Sequence, residues 1–196
     1  MNSLGTTIRR GLSLVQTDAA GHLGVAFRCG LYAQLENLNT EPSVLWRVRL
    51  ASSAVRKVIP LWEENFKDDH SPHEAIILVE NLLAKKLSQE VAARQLGQLW
   101  SHCDNLAWRF PEKQCAVAVG YATAQVIREA LSPSHFGCDQ LGAESDDVDV
   151  DPYDHDSAFL ASIAYAGGAP WESRGDAQKR RAFWTWWLTD CIHRSN

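Results

Sequence analysis

The sequence predicts an all-α fold, a single-domain bundle of about seven helices with an acidic loop before the last two. Apolar residues recur at intervals of three and four along most of the chain, which is typical of amphipathic helices. Capping residues and prolines punctuate these stretches where helices should begin and end. Alternating runs of Val, Ile, Thr and Tyr, which would indicate strands, do not appear. At 196 residues and 45% hydrophobic content, the chain suffices for one compact domain.

The domain is predicted to span residues 22–196, after an N-terminal segment (1–21) to which no element is assigned. Its first helix carries an apolar stripe at Leu23, Phe27, Leu31, Leu35 and Leu38. The second begins near Pro42 and continues through Val48 and Val55. Pro60 should kink or end that helix near Ile59, because proline lacks the amide donor that a helix interior needs.

The next helix starts are marked by caps. Ser71-Pro72-His73-Glu74 combines a Ser N-cap, Pro at the first helical position and Glu at the third. Ser88 is predicted to cap a further helix, and Pro111 opens one that Ser132-Pro133 stops. A short apolar helix from Ser157 to Ala166 closes at Gly167-Gly168, and the last helix runs from about Asp176 to Ile192.

Acidic residues are concentrated in the segment that precedes these last two helices. Residues 139–156 contain eight acidic side chains and no Lys or Arg, although the net charge of the whole chain is only −5. Residues 133–153 have no apolar period and are predicted to form an acidic loop. The remainder carries 19 basic and 16 acidic residues, a net of +3, which argues against a nucleic-acid binder.

Location is predicted from what the sequence lacks. No stretch approaches the ~18–20 apolar residues that span a bilayer, and Gln16 to Asp18 interrupt the only apolar run near the N-terminus. We therefore expect a cytoplasmic protein that does not contact a membrane. The five cysteines are odd in number and widely scattered, so we expect them to be reduced.

The acidic run offers the Asp-x-Asp-x-Asp spacing that hard cations favour. An EF-hand loop counted from Asp147 fails, however, because Pro152 stands at the glycine position and Ala158 at the bidentate glutamate position. Three interpretations stay open: a solvated loop, a different Ca²⁺ or Mg²⁺ site, and a surface that steers a basic partner. The His70/His73 and His135/Cys138 pairs could supply zinc ligands, but no family spacing links them.

Catalytic and cofactor motifs do not occur. No Gly-x-Ser-x-Gly, phosphate-binding loop or dinucleotide fingerprint is found. Ser101-His102-Cys103-Asp104 contains the residue types of a catalytic triad, but neighbours on a helix point in different directions. We therefore predict no catalytic residue, no metal ligand and no cofactor.

Tryptophan is abundant, with eight residues. Trp184, Trp186 and Trp187 cover more than one face of the last helix, so one of them should be hard to bury. We take Trp186 as a candidate partner-binding residue, since exposed tryptophans are common at interface hot spots. The nearby Lys179, Arg180 and Arg181 should be offset by Asp176 or by the acidic loop folding back onto them.

Two segments carry a family resemblance. Residues 53–64 (SAVRKVIPLWEE), followed by Lys67-Asp68-Asp69 and Pro72, resemble the helix and turn of the bacterial immunity protein 5 family. Residues 176–189 (DAQKRRAFWTWWLT) are similar to that family's closing stretch and are the more specific match. The resemblance extends from about His22 to the end. It implies an all-α, non-enzymatic cytoplasmic inhibitor that binds the toxin domain of a polymorphic toxin system.

The predicted function is thus stoichiometric neutralisation of a cognate toxin by a monomer or homodimer, without nucleic acid or membrane. The predicted partner-binding residues are Asp146, Asp147, Asp149, Asp151, Asp154, Asp156 and Trp186. Acidic side chains would steer the encounter and a buried aromatic would supply affinity. Two alternatives remain from other classes: a metal-dependent helical enzyme that uses the acidic run or His70 and His73, and a helical scaffold or dimerisation protein.

Overall fold

A computed structural model describes residues 4–38, 43–132 and 146–195. Within these ranges the regular structure is helical and no strand occurs, which confirms the all-α prediction. The helices are α1 (Leu4–Thr17), α2 (Val25–Leu38), α3 (Ser43–Arg56), α4 (Ile59–Asn65), α5 (Ser71–Leu83), α6 (Gln89–Arg109), α7 (Gln114–Leu131), α8 (Ser157–Ala166), α9 (Ala177–Trp186) and α10 (Ile192–Ser195). A π-helical turn, Trp187–Cys191, joins the last two. Residues 133–145, most of the predicted acidic loop, lie outside the described residues.

Helix α7 is the centre of the bundle. It packs against α3, α4, α5, α6 and α8, and most of its side chains are buried. Gly120 lets two neighbours approach closely: a Cβ added there would lie 2.5 Å from the Cys103 sulfur on α6 and 2.7 Å from the Trp62 ring on α4. A single helix buried on nearly all sides therefore orders the domain.

The helix boundaries largely follow the predicted signals. Pro60 separates two helices, since α3 ends at Arg56 and α4 begins at Ile59 with the proline in its first turn. Ser88 caps α6 by accepting the Val91 N–H at 3.3 Å. Gly167 ends α8 in the left-handed region at φ 81°, where glycine avoids the strain of a side chain.

One predicted cap is wrong. Ser71 is the first residue of α5 and not its N-cap; the cap residue is His70, which makes no side-chain capping bond. Asp69 takes that role, because its carboxylate accepts both the Ser71 N–H and the Ser71 hydroxyl. The turn is further held by His102 on α6, whose Nε2 lies 2.6 Å from the other Asp69 oxygen.

The N-terminal segment without a predicted element contains α1, which is amphipathic and packs on α9. Arg180 donates to the Ala20 carbonyl at 2.8 Å and to the Gly168 carbonyl at 2.6 Å. Arg181 donates to the Val15 carbonyl at 3.1 Å. Arg180 and Arg181 of α9 thus hold the N-terminal segment against that helix. Asp176 is the N-cap of α9.

Two further findings concern cysteines and membranes. Cys103, Cys115 and Cys191 are free thiols, whereas Cys29 is disulfide-bonded. The expectation of uniformly reduced cysteines is therefore wrong for Cys29. In the described part of the chain, no helix combines the length and the apolar character needed to cross a membrane.

Candidate partner-binding surface

Residues 146–156, the acidic segment, lead into α8 through two short 3₁₀ turns, Asp147–Asp149 and Pro152–Asp154. Aspartates begin each of these pieces. Asp146 accepts the Asp147 N–H at 2.6 Å, and Asp151 accepts the Tyr153 N–H at 2.9 Å. Asp156 accepts the Phe159 N–H at 2.9 Å at the start of α8. Local capping thus accounts for three of the six described aspartates in the segment.

Asp147 is fully buried and ion-paired with Arg28 of α2. The guanidinium donates from Nη2 to Oδ1 at 2.6 Å and from Nη1 to Oδ2 at 3.1 Å. Oδ2 also accepts the Val25 N–H at 2.8 Å and lies 2.8 Å from His22 Nε2. A carboxylate with this many donors is satisfied without water.

Asp156 is the second carboxylate on the same arginine. Arg28 Nε donates to its Oδ2 at 2.8 Å, and Nη1 also donates to the Leu23 carbonyl at 2.6 Å. The guanidinium carbon lies 5.1 Å from the Phe159 ring centroid and 5.5 Å from that of Trp184. We call Arg28, Asp147, Asp156 and His22 the Arg28 cluster; it joins α2, the acidic segment and α8.

The electrostatics of this cluster favour the ionised forms. Burial acts to raise the pKa of Asp147, but the charge of Arg28 and the hydrogen bonds from His22 and Arg28 outweigh it and hold that pKa well below its usual range. Burial also acts to lower the pKa of Arg28, and the charges of Asp156 and Asp147 reverse the effect, so it rises above its ordinary value. Both partners therefore stay charged across the physiological range.

The six predicted aspartates accordingly divide into two groups. Asp147 and Asp156 are buried in the Arg28 cluster and do not face solvent. Asp146, Asp149 and Asp151 are exposed. Asp154 is partly exposed and pairs with Arg128 of α7 at 2.6 Å. The outward-facing carboxylates thus lie on a backbone that the buried ones anchor.

Trp186, the predicted aromatic contact, is the last residue of α9. Its side chain is partly buried, with Lys57 Nζ 4.2 Å from its ring centroid and the Phe183 ring at 5.7 Å. Trp184 and Trp187 are fully buried. Of the three tryptophans in this stretch, Trp186 is thus the one with some solvent access.

Three exposed aromatic residues were not predicted as candidates. Trp108 is 87% exposed, Tyr153 57% and Trp171 50%. For Trp108 the sequence held a signal, because it lies nine residues after buried Leu99 and so about 180° around α6 from the core-facing side. The exposure of Tyr153 and Trp171 depends on loop geometry that periodicity does not describe.

Glu129 on α7 is a buried carboxyl group beside the same region. It accepts the Ser157 hydroxyl at 2.8 Å and the Ser157 N–H at 3.4 Å. Burial raises its pKa to about 8, with the charge of Asp156 acting in the same direction and the Ser157 hydroxyl bond opposing it. A protonated Glu129 is therefore favoured at neutral pH.

Possible metal ligands are arranged as follows. Among the described residues, no three His, Cys, Asp or Glu side chains cluster in a way that could hold a metal ion. Asp147, the first residue of the Asp-x-Asp-x-Asp run, is occupied by Arg28 and His22. His73 pairs with Glu63 at 2.9 Å, and the predicted ligands His135 and Cys138 lie outside the described residues.

The family model described as immunity protein Imm5 matches residues 8–194, nearly the whole chain. Among curated proteins, no sequence matches.

Proposed function

Since the chain belongs to the immunity protein Imm5 family, and toxin immunity is the role that this family name states, we propose that it neutralises one cognate toxin domain by stoichiometric binding. In this proposal it acts as a binding protein in a bacterial polymorphic toxin system and not as an enzyme. The protein occludes the working surface of the toxin. Neither nucleic acid nor membrane takes part, and the active form is a monomer or homodimer.

The observation that supports this proposal is the division of the acidic segment. Asp146, Asp149 and Asp151 face solvent on a short stretch whose backbone the Arg28 cluster anchors from within. Exposed charges of one sign speed the encounter with an oppositely charged surface. Anchoring reduces the conformational entropy lost when the segment binds. A basic surface on the toxin is therefore the expected counterpart.

Trp186 is proposed as a second contact. Its ring has Lys57 on one side and Phe183 on another, so only part of the indole is available to a partner. We expect Trp186→Ala to weaken toxin binding less than removal of a fully exposed aromatic at the interface, since less of its surface is there to be buried.

The first experiment captures the partner from the source cells with the tagged protein at low salt and identifies it by mass spectrometry. A roughly stoichiometric toxin domain, whose growth inhibition the co-expressed protein relieves, would support the proposal. Capture of no such domain would contradict it. Stoichiometric metal in a sample purified without chelator would instead favour the metal-dependent enzyme, and a dimer with neither partner nor metal would favour the scaffold.

The role of the acidic segment is tested by association rates. Asp149→Asn combined with Asp151→Asn removes two charges while Asn keeps the ability to cap Tyr153. We expect association with the captured toxin domain to slow about tenfold at low salt and to depend less on salt. The control, Glu63→Gln with Glu64→Gln on α4, has the same net charge. Equal rates for the two variants would exclude the segment.

A cytoplasmic location belongs to the same proposal, because a protective protein must meet the toxin where the toxin acts. Fractionation of cells that express the tagged protein should recover it together with cytoplasmic marker proteins. Fractionation that places it in an oxidising compartment would contradict this part.

A further inference from the structure

Trp108 lies near the end of α6 with 87% of its surface exposed, more than any other large apolar side chain in the described part of the chain. Tryptophan offers a large apolar area, and leaving it in water forgoes the stabilisation that burial would supply. Among the described residues, Trp108 is not part of the hydrophobic core. Exposed apolar surface of this kind is typical of a site that binds another molecule.

Trp108 continues a row of side chains along one side of α6. Trp100, Asp104 and Trp108 follow at four-residue intervals, which places them on adjacent positions of one helix face. Tyr121 of α7 stands beside this row: its ring centroid is 5.0 Å from that of Trp100, and its hydroxyl donates to Asp104 Oδ1 at 2.7 Å.

The row connects directly with the acidic segment. Tyr153, which is 57% exposed, packs edge-on against Trp100 at 5.3 Å between ring centroids. Its carbonyl accepts hydrogen bonds from Gln125 and Arg128 of α7, which hold it in place. The aromatic stripe, defined as Trp100, Asp104, Trp108, Tyr121 and Tyr153, is therefore continuous with the exposed Asp149 and Asp151 at one end.

We propose that the aromatic stripe is the affinity-determining part of the toxin interface, with the Trp108 indole as its anchor. This inference rests on the proposed function. The partner it fits is a protein surface with an apolar pocket for the indole and Lys or Arg side chains around it. Those cations would meet Asp104 and the acidic segment, and an arginine could also stack on the indole face. The acidic segment governs the approach and the stripe governs the lifetime of the complex.

The experiment compares Trp108→Ala with Ile77→Ala, which truncates another exposed apolar side chain, on α5. Affinity for the toxin domain captured by the unaltered protein is measured by titration calorimetry. We expect Trp108→Ala to weaken binding about 30-fold or more, mainly through faster dissociation, and Ile77→Ala to change it less than threefold. Trp108→Phe should recover part of the loss. Both variants should unfold at the same denaturant concentration as the unaltered protein.

The outcomes separate this inference from the proposed function. If the unaltered protein binds the toxin domain and Trp108→Ala binds it equally well, the stripe is not the anchor although the function stands. If the unaltered protein captures no toxin domain, both fall. If sedimentation shows a homodimer that Trp108→Ala dissociates, the stripe is an interface between two copies of this chain and the inference is overturned.

Discussion

The buried and the exposed aspartates of the acidic segment are alike in type and only a few positions apart, yet their environments are opposite. Asp147 and Asp156 are enclosed by the Arg28 cluster, while Asp149 and Asp151 face water. The two buried aspartates share one partner, Arg28 on α2, which lies more than a hundred residues earlier in the chain. Charge density along a sequence therefore does not show which charges a partner can reach.

The two groups also differ in what a substitution would do. A buried carboxylate has lost its hydration and depends on its donors, so removal of a donor leaves an uncompensated charge. An exposed carboxylate keeps its hydration, and its removal changes the surface potential more than the free energy of unfolding. Stability measurements can therefore separate the buried aspartates of the segment from the exposed ones.

The largest effect is expected for Arg28→Met, because it leaves Asp147 and Asp156 buried without their cation. We expect a loss of about 3–5 kcal/mol in the free energy of unfolding, measured by urea denaturation at pH 7. The matched control is Arg56→Met, which breaks the exposed pair with Glu80 and should cost less than about 1 kcal/mol. Similar losses in the two variants would refute the distinction.

Asp147→Asn should have the next largest effect, about 2–3 kcal/mol at pH 7, since Asp156 still compensates Arg28. The folded state holds the pKa of Asp147 below its usual range. Its contribution is therefore fully present above the ordinary pKa of about 4 and declines as the pH falls below that value. Unfolding measured from pH 7 to pH 2 should show the variant and the unaltered protein converging in acid.

The exposed counterpart, Asp149→Asn, supplies the control for that experiment. We expect it to change the free energy of unfolding by no more than about 0.5 kcal/mol at any pH in the range. A loss as large as that of Asp147→Asn would mean that the exposed half of the segment is also structural.

A smaller effect on the free energy of unfolding is expected for Glu129→Gln. This variant tests the burial of a carboxyl group that accepts a hydrogen bond from the Ser157 hydroxyl. Its folded pKa is raised to about 8, so its contribution to stability is fully present below about pH 4.5 and is lost as the pH rises through 8. Glutamine imitates the neutral acid at every pH. The variant should therefore gain on the order of 2 kcal/mol relative to the unaltered protein between pH 5 and pH 8.

The matched control for this measurement is Glu64→Gln on α4, an exposed site. Its difference from the unaltered protein should stay flat across the same pH range. A flat profile for Glu129→Gln as well would show that Glu129 ionises normally within the fold.

Short-range patterns were sufficient for much of the fold. Apolar spacing, Pro60, Ser88, Gly167 and Asp176 place helix boundaries through contacts within a few residues, and such contacts can be found in the sequence alone. The family resemblance likewise rests on contiguous residues and is confirmed by the match over residues 8–194. Helix α1 was missed. The N-cap of α5 was predicted at Ser71, one residue after its actual position at His70.

The division of the acidic segment could not be found in that way. A carboxylate can be buried only if groups from other parts of the chain supply enough hydrogen-bond donors to replace water. Arg28 and His22 do this for Asp147. The continuity of Tyr153 with Trp100 is likewise a contact between residues 53 positions apart. Local spacing in the sequence carries no information on such long-range contacts, because they result from how the helices pack.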